Sequence, residues 1–146
     1  MGTMREILFR GKRLDNGEWV EGFLLIRPMA ICIGDYSPWW IDVPPVDPDD
    51  DGGRYNIDPE TVGQYTGLRD KNGKRIFEGD IVNGLFLFER PIAGVVTFRD
   101  GSFGVQWMRG RVEEFSAFTS CCNVAWEVIG NVADNPELLE GGANDG

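Results

Sequence analysis

The chain has 146 residues, 42% of them apolar, a formal charge of −10 from 24 acidic against 14 basic residues, and no histidine. That length holds one ordinary domain, or a small barrel with a β appendage, and the apolar fraction suffices for a packed core. The acidic excess repels polyanions from the molecule as a whole, and the lack of histidine removes Ser-His and Cys-His catalysis and every imidazole metal site.

No apolar run approaches the roughly 18 residues of a membrane-spanning helix. The opening offers only ILF followed by RGKR, so neither a secretory signal nor a membrane role is expected. Cys32, Cys121 and Cys122 lack the spacing of a redox pair or a four-thiolate zinc site. They read as buried small hydrophobes in a reducing cytoplasm.

In chain order, residues 5–10 (REILFR) predict a short strand and Asp15-Asn16-Gly17 a hairpin turn leading to a partner strand, residues 19–26 (WVEGFLLI). Residues 29–33 (MAICI) predict a further strand, completing an N-terminal meander too small to stand alone. From residue 35 to 59, prolines and the acidic residues 47–51 predict a long surface loop with residues 39–43 as an edge strand. Residues 61–83 (TVGQYTGLRDKNGKRIFEGDIVN) organise the rest of the chain. Asn72-Gly73 predicts a tight hairpin with both central residues at positive φ. At Glu78-Gly79-Asp80 a sharp bend is expected, with Gly79 taking the special φ and the Asp80 carboxylate accepting backbone N–H groups across it.

Residues 81–89 continue as an apolar strand. Residues 94–99 and 102–108 form a hairpin about Asp100-Gly101, residues 112–119 are ambiguous between strand and loop, and residues 124–132 close the domain. Asp134 or Asn135 then caps a short helix with Pro136 in its first turn. The reading is a mainly β protein in two parts. Residues 1–60 make the meander and the proline- and aspartate-rich loop. Residues 61–146 make a small antiparallel SH3-like barrel with a short C-terminal helix.

The stretches GQYTGLRDKNGKRIFEGDIV and EVIGNVADNPELLE, with REILFRG and NGEWVEG near the start, resemble the YopX family of phage and prophage proteins. Residues 36–55 fall outside the resemblance. Gly63, Tyr65, Thr66, Gly67, Asp70, Gly73, Glu78, Gly79, Asp80, Glu127, Gly130, Asn131, Asn135 and Pro136 match the family pattern. The resemblance implies a small β fold of phage-derived origin in a bacterial host cytoplasm, and supplies no catalytic residue to carry over.

Four candidate sites emerge from the residues themselves. Asp47, Asp49 and Asp51 before Gly52, with Asp58 in the twelfth position, fit a calcium-loop pattern. Against that reading stand the Asp in place of the longer Glu, Arg54 near the ligands, prolines that leave no entering helix, and the simpler alternative of a solvated acidic loop. Trp39 and Trp40 point to opposite faces of a strand, which would let one anchor the loop and the other meet a protein partner; the alternative, slightly favoured, is that both pack the loop against the protein's own barrel. Between residues 61 and 112, eight Lys and Arg stand against five Asp and Glu. Arg69, Lys71, Lys74, Arg75, Arg99, Arg109 and Arg111, interleaved with Phe86, Phe88, Phe98, Phe103 and Trp107, would form a single-stranded nucleic-acid face if they converged; otherwise the aromatics are core. Glu78 and Asp80 are a carboxylate pair of the kind used in acid-base work, but with no histidine or lysine partner to set a role they read, with Asn72, Gly73 and Gly79, as structural. No coherent catalytic set emerges. The expected function is a non-enzymatic module that binds a protein partner or itself, with no cofactor. The alternatives are nucleic-acid binding, and a carboxylate-metal hydrolase built on the 47–51 loop.

Overall fold

The protein, a computed structural model, is described over residues 6–27, 37–85, 91–109, 111–118 and 126–139. The expected strand at 29–33, Phe86, Phe88, the three cysteines and the Gly141-Gly142 helix stop lie outside those residues. The chain divides into two compact units, Met1–Tyr65 and Thr66–Gly146. Among the described residues no helix is long and apolar enough to cross a membrane.

In the first unit, β1 (Phe9–Lys12), β2 (Trp19–Ile26), β3 (Trp39–Val43) and β4 (Gly53–Asn56) run as an antiparallel meander in the order β4-β3-β2-β1. A 3-10 turn, Pro59–Thr61, leads into β5 (Gly63–Arg69), whose start pairs with β1 at Phe9↔Gln64 and Arg10↔Gly63. Ile41 and Ile57 are wholly buried. They pack where Gly11 leaves room, since a Cβ there would collide with Ile57 Cγ2. Two expectations are corrected here. Residues 39–43 form an interior strand, not an edge, because β4 lies on the outer side of β3 with Trp40↔Asn56 and Val43↔Gly53 in register. The long loop shrinks to residues 44–52, where Gly52 at φ +68° turns the chain back at a point where a Cβ would clash with Val43 O.

In the second unit, the continuation of β5 lies beside β6 (Arg75–Phe77). The five remaining strands are β7 (Asp80–Leu85), β8 (Pro91–Arg99), β9 (Ser102–Arg109), β10 (Val112–Ala117) and β11 (Glu127–Asn131), ordered β10-β9-β8-β7-β11. The SH3-like barrel is therefore corrected to an open sheet. Closure would need a ladder between the first and last strands, yet β11 pairs with β7 and β10 with β9, leaving β10 and β11 as opposite margins. β5 and β6, expected as barrel staves, belong to the other sheet. Ile76, Val82, Val96, Val105 and Trp126 form the buried cluster, with Trp107, Phe118 and Val128 packed against it. Residues 137–139 make a helical turn whose Leu138 lies over Gly130 in the bulge of β11.

The hairpin chemistry is also revised at Asn72-Gly73. Only Gly73 takes positive φ, and Asp70 N donates to Lys74 O while Gly73 N donates to Asp70 O, so the loop has three residues, not two. Asp100 and Gly101 do both sit at positive φ, and Arg99↔Ser102 closes that two-residue turn.

Candidate functional site

Register decides which side chains share a face of the meander. Residues directly opposite on antiparallel strands point the same way, and positions two apart on one strand do so too. Leu25↔Trp40, Phe23↔Asp42, Arg10↔Glu21 and Lys12↔Trp19 therefore place Trp40, Leu25, Asp42, Phe23, Glu21, Trp19, Arg10 and Lys12 on one face, opposite the side that buries Ile41. Phe23 is 54% exposed in the middle of it. At one end the Arg10 guanidinium lies 4.7 Å, and the Lys12 ammonium 5.6 Å, from the Trp19 ring centroid. At the other end Trp40 is half-buried, and its indole N–H is buried without a hydrogen-bond partner among the described residues. Arg54 and Asp42 form a loose cross-strand ion pair at 3.5 Å along the rim.

Trp39 faces the other way, across from Ile26. Its backbone is pinned on both sides: Trp39 N donates to Ser37 Oγ, and Trp39 O accepts from Ile57 N and from Asn56 Nδ2. Ser37 Oγ also donates to Ile57 O at 2.6 Å. This buried polar network sets the start of β3, and through alternation sets the direction of Trp40.

The calcium-loop residues do not come together. Asp58 caps the Pro59–Thr61 turn by accepting from Glu60 N, and the extended β4 stands between it and the 44–52 loop. Within the loop, Asp47 Oδ1 accepts from Asp49 N, while Asp50 accepts from Val46 N and Gly52 N. Those two amides, Val46 first, hold the Asp50 pKa below the ordinary carboxylate value. Among the described residues no group of three or more His, Cys, Asp or Glu is placed to hold a metal ion. The loop is organised by Asp50, which the pattern of alternate aspartates passes over.

The basic residues of the second unit are dispersed. Arg69 donates to Gly73 O across its own hairpin, and Lys71 pairs with Glu127 at 2.8 Å. Lys74 is exposed at the same hairpin, while the Arg75 Nε is buried. Arg99 stacks on Phe115 at the β8–β9 turn, and Arg111 is exposed at the β9–β10 turn. Arg109 enters only through its backbone, opposite Val112. Arg99 and Arg111 flank opposite ends of β9, roughly 24 Å apart along an eight-residue strand. They share no surface point with one another. Of the interleaved aromatics, Trp107 packs against the buried cluster, and Phe103 meets Phe98 edge-on at 5.0 Å.

The bend at Glu78-Gly79-Asp80 is a junction. Asp80 is 1% exposed and its Oδ2 accepts from Phe77 N at 2.8 Å; Gly79, at φ +87°, donates to Val96 O and accepts from Val132 N. Asp70 is a second junction. Its Oδ1 accepts from Asn72 N and Lys74 N, and its Oδ2 from Val128 N, 58 residues along the chain. Burial works to raise its pKa, but the Val128, Lys74 and Asn72 amides and the Lys74 charge together hold it below the ordinary value. Sequence spacing carried no sign of that long-range bond, nor of the Phe23 face, because both depend on which strands become neighbours.

Fold and surface define an all-antiparallel β protein of two units, with buried aspartates fastening the turns of the second. The chain belongs to the YopX family: the family model, described as YopX protein, matches residues 8–140. The crystal structure of protein EF1440 from Enterococcus faecalis is similar to it in fold, at 24% identity and a TM-score of 0.52, over 93% of this chain and 99% of that one. No curated protein matches the chain.

Proposed function

We propose that this YopX-family protein is a non-enzymatic interaction module that binds another protein chain through the Phe23–Leu25–Trp40 face of its first unit. The observation that carries the reading is Phe23, a large apolar side chain more than half exposed in the middle of a strand and flanked by half-buried Leu25 and Trp40. An apolar centre bordered by cations on an aromatic ring and by a mixed-charge rim is the composition of a protein-binding patch.

The test is Phe23→Ser combined with Trp40→Phe, checked for an unchanged circular dichroism spectrum. Sedimentation and affinity capture should show that the folded double variant loses a defined oligomer or a stable protein partner that the parent chain keeps. Equal behaviour of the two proteins would overturn the reading.

A further inference from the structure

The same face is also distinctive in charge. Arg10 and Lys12 lie over Trp19 at one end of it, and exposed Phe23 comes two rows further on. In a chain of net charge −10 this is a local site where cations and apolar surface coincide; its acidic groups are Glu21 across from Arg10 and Asp42 across from Phe23, the latter paired with Arg54. An acidic segment is repelled by most of the molecule and is drawn to the Arg10–Lys12 end of this face, away from Asp42.

The first unit also presents the complement. In the 44–52 loop Val46 is 89% exposed, the most exposed large hydrophobic residue of those described. Asp47, Asp49 and Asp51 come next in the chain, and no cation pairs with any of the three among the described residues. The loop's conformation is fixed from within by the bonds of Val46 N and Gly52 N to Asp50 and of Asp49 N to Asp47. A segment ordered before binding loses little conformational freedom on docking. Its ends are the interior strand β3 and its neighbour β4, a rigid mount.

Building on the protein-binding role proposed for this face, we infer that the Arg10–Lys12–Trp19–Phe23 surface receives the Val46-bearing acidic loop of a second copy of this chain. The contact joins different surfaces of the two copies, so repetition gives a ring where the rotation closes and an open series where it does not. Its polar part is ionic, so association weakens as salt rises.

Three proteins test this by sedimentation across a range of concentration at low and high salt. They are the parent chain, a face variant (Lys12→Glu with Phe23→Ser) and a loop variant (Val46→Ser with Asp47→Asn, Asp49→Asn and Asp51→Asn). Asp50 is left in place because it holds the loop. The parent chain should associate at low salt and dissociate at high salt, and each folded variant alone should be monomeric. An equimolar mixture of the two variants should form a dimer and nothing larger, since each retains the half the other lacks. A parent chain that stays monomeric throughout, or an oligomer that persists in the loop variant, would overturn the inference. If the face variant loses a different protein partner while the loop variant keeps it, the interaction reading stands and the second copy is excluded as occupant.

Discussion

Removing the Asp70 carboxylate should loosen the β5–β6 hairpin from β11, leaving the Lys71 N–Trp126 O hydrogen bond and the Lys71–Glu127 ion pair to hold it. Asp70 is 8% exposed and accepts three backbone N–H groups, from Asn72 and Lys74 at 2.9 Å and from Val128 at 3.0 Å. In Asp70→Ala the two turn amides can rebind water, at roughly 0.5–1 kcal/mol each, while the partly buried Val128 amide left without an acceptor costs about 1–3 kcal/mol. The sum is about 3 kcal/mol, which lowers Tm by roughly 10 °C for a chain of this size. Asp70→Asn keeps one oxygen and turns an NH2 toward an amide, so it should lose about half as much. The pH dependence has a definite sign. A carboxylate held below its ordinary value of 3.8 contributes stability above that value and loses it as pH falls through the folded one. The difference between parent and Asp70→Asn, measured by urea unfolding, should therefore be constant near neutrality and shrink below about pH 4. Hydrogen exchange should show the Val128 amide among the most accelerated. An Asn variant as stable as the parent at pH 7, with an unprotected Val128 amide in both, would refute the reasoning.

Gly94→Ala should cost about 2 kcal/mol in an unfolding titration, because the new Cβ would lie 2.5 Å from Val105 Cγ1 and 2.8 Å from the Gln106 carbonyl oxygen in the centre of the sheet. Asp80→Ala strips the buried Phe77 amide of its acceptor and should cost about 1–3 kcal/mol; an unchanged melt would remove Asp80 from its place in the bend. Calcium should leave Tm where it is, since Asp47 and Asp58 already accept backbone amides and the extended β4 keeps Asp58 apart from the loop. A calcium-dependent rise in Tm would restore the 47–51 loop as a metal site.

Local chemistry was legible where one or two residues decide a conformation. Gly17, Gly79 and Gly101 take the positive φ that their turn positions suggest, and the residues 19–26 strand is found with the expected bounds. The misreadings arise where a decision belongs to pairing. Residues 39–43 resemble an edge strand only while the weak four-residue β4, holding two polar side chains and a glycine, is taken for loop. The barrel expectation took the strands after residue 61 to close on one another, but β5 and β6 join the other sheet and β11 pairs with the free side of β7, which fixes the sheet as open. Of the candidate site, Trp39 and Trp40 were visible as residues. Phe23, Trp19 and the two cations became a surface only through the β1–β2 and β2–β3 registers. Asn72 shows a finer limit: Asp70 accepts the amides of both Asn72 and Lys74, which favours the three-residue loop over the one that Asn-Gly suggests.

The strand order of the second sheet has a consequence for synthesis. β8, β9 and β10 pair only with sequence neighbours, so each can settle as it leaves the ribosome, whereas one side of β7 waits for β11 to return across the intervening hairpins. Trp126, which seals Val82, Val96 and Val105, arrives with that last strand. A nascent chain halted before it would carry a half-built wall with its oily side uncovered, the stage at which a chaperone has most to hold.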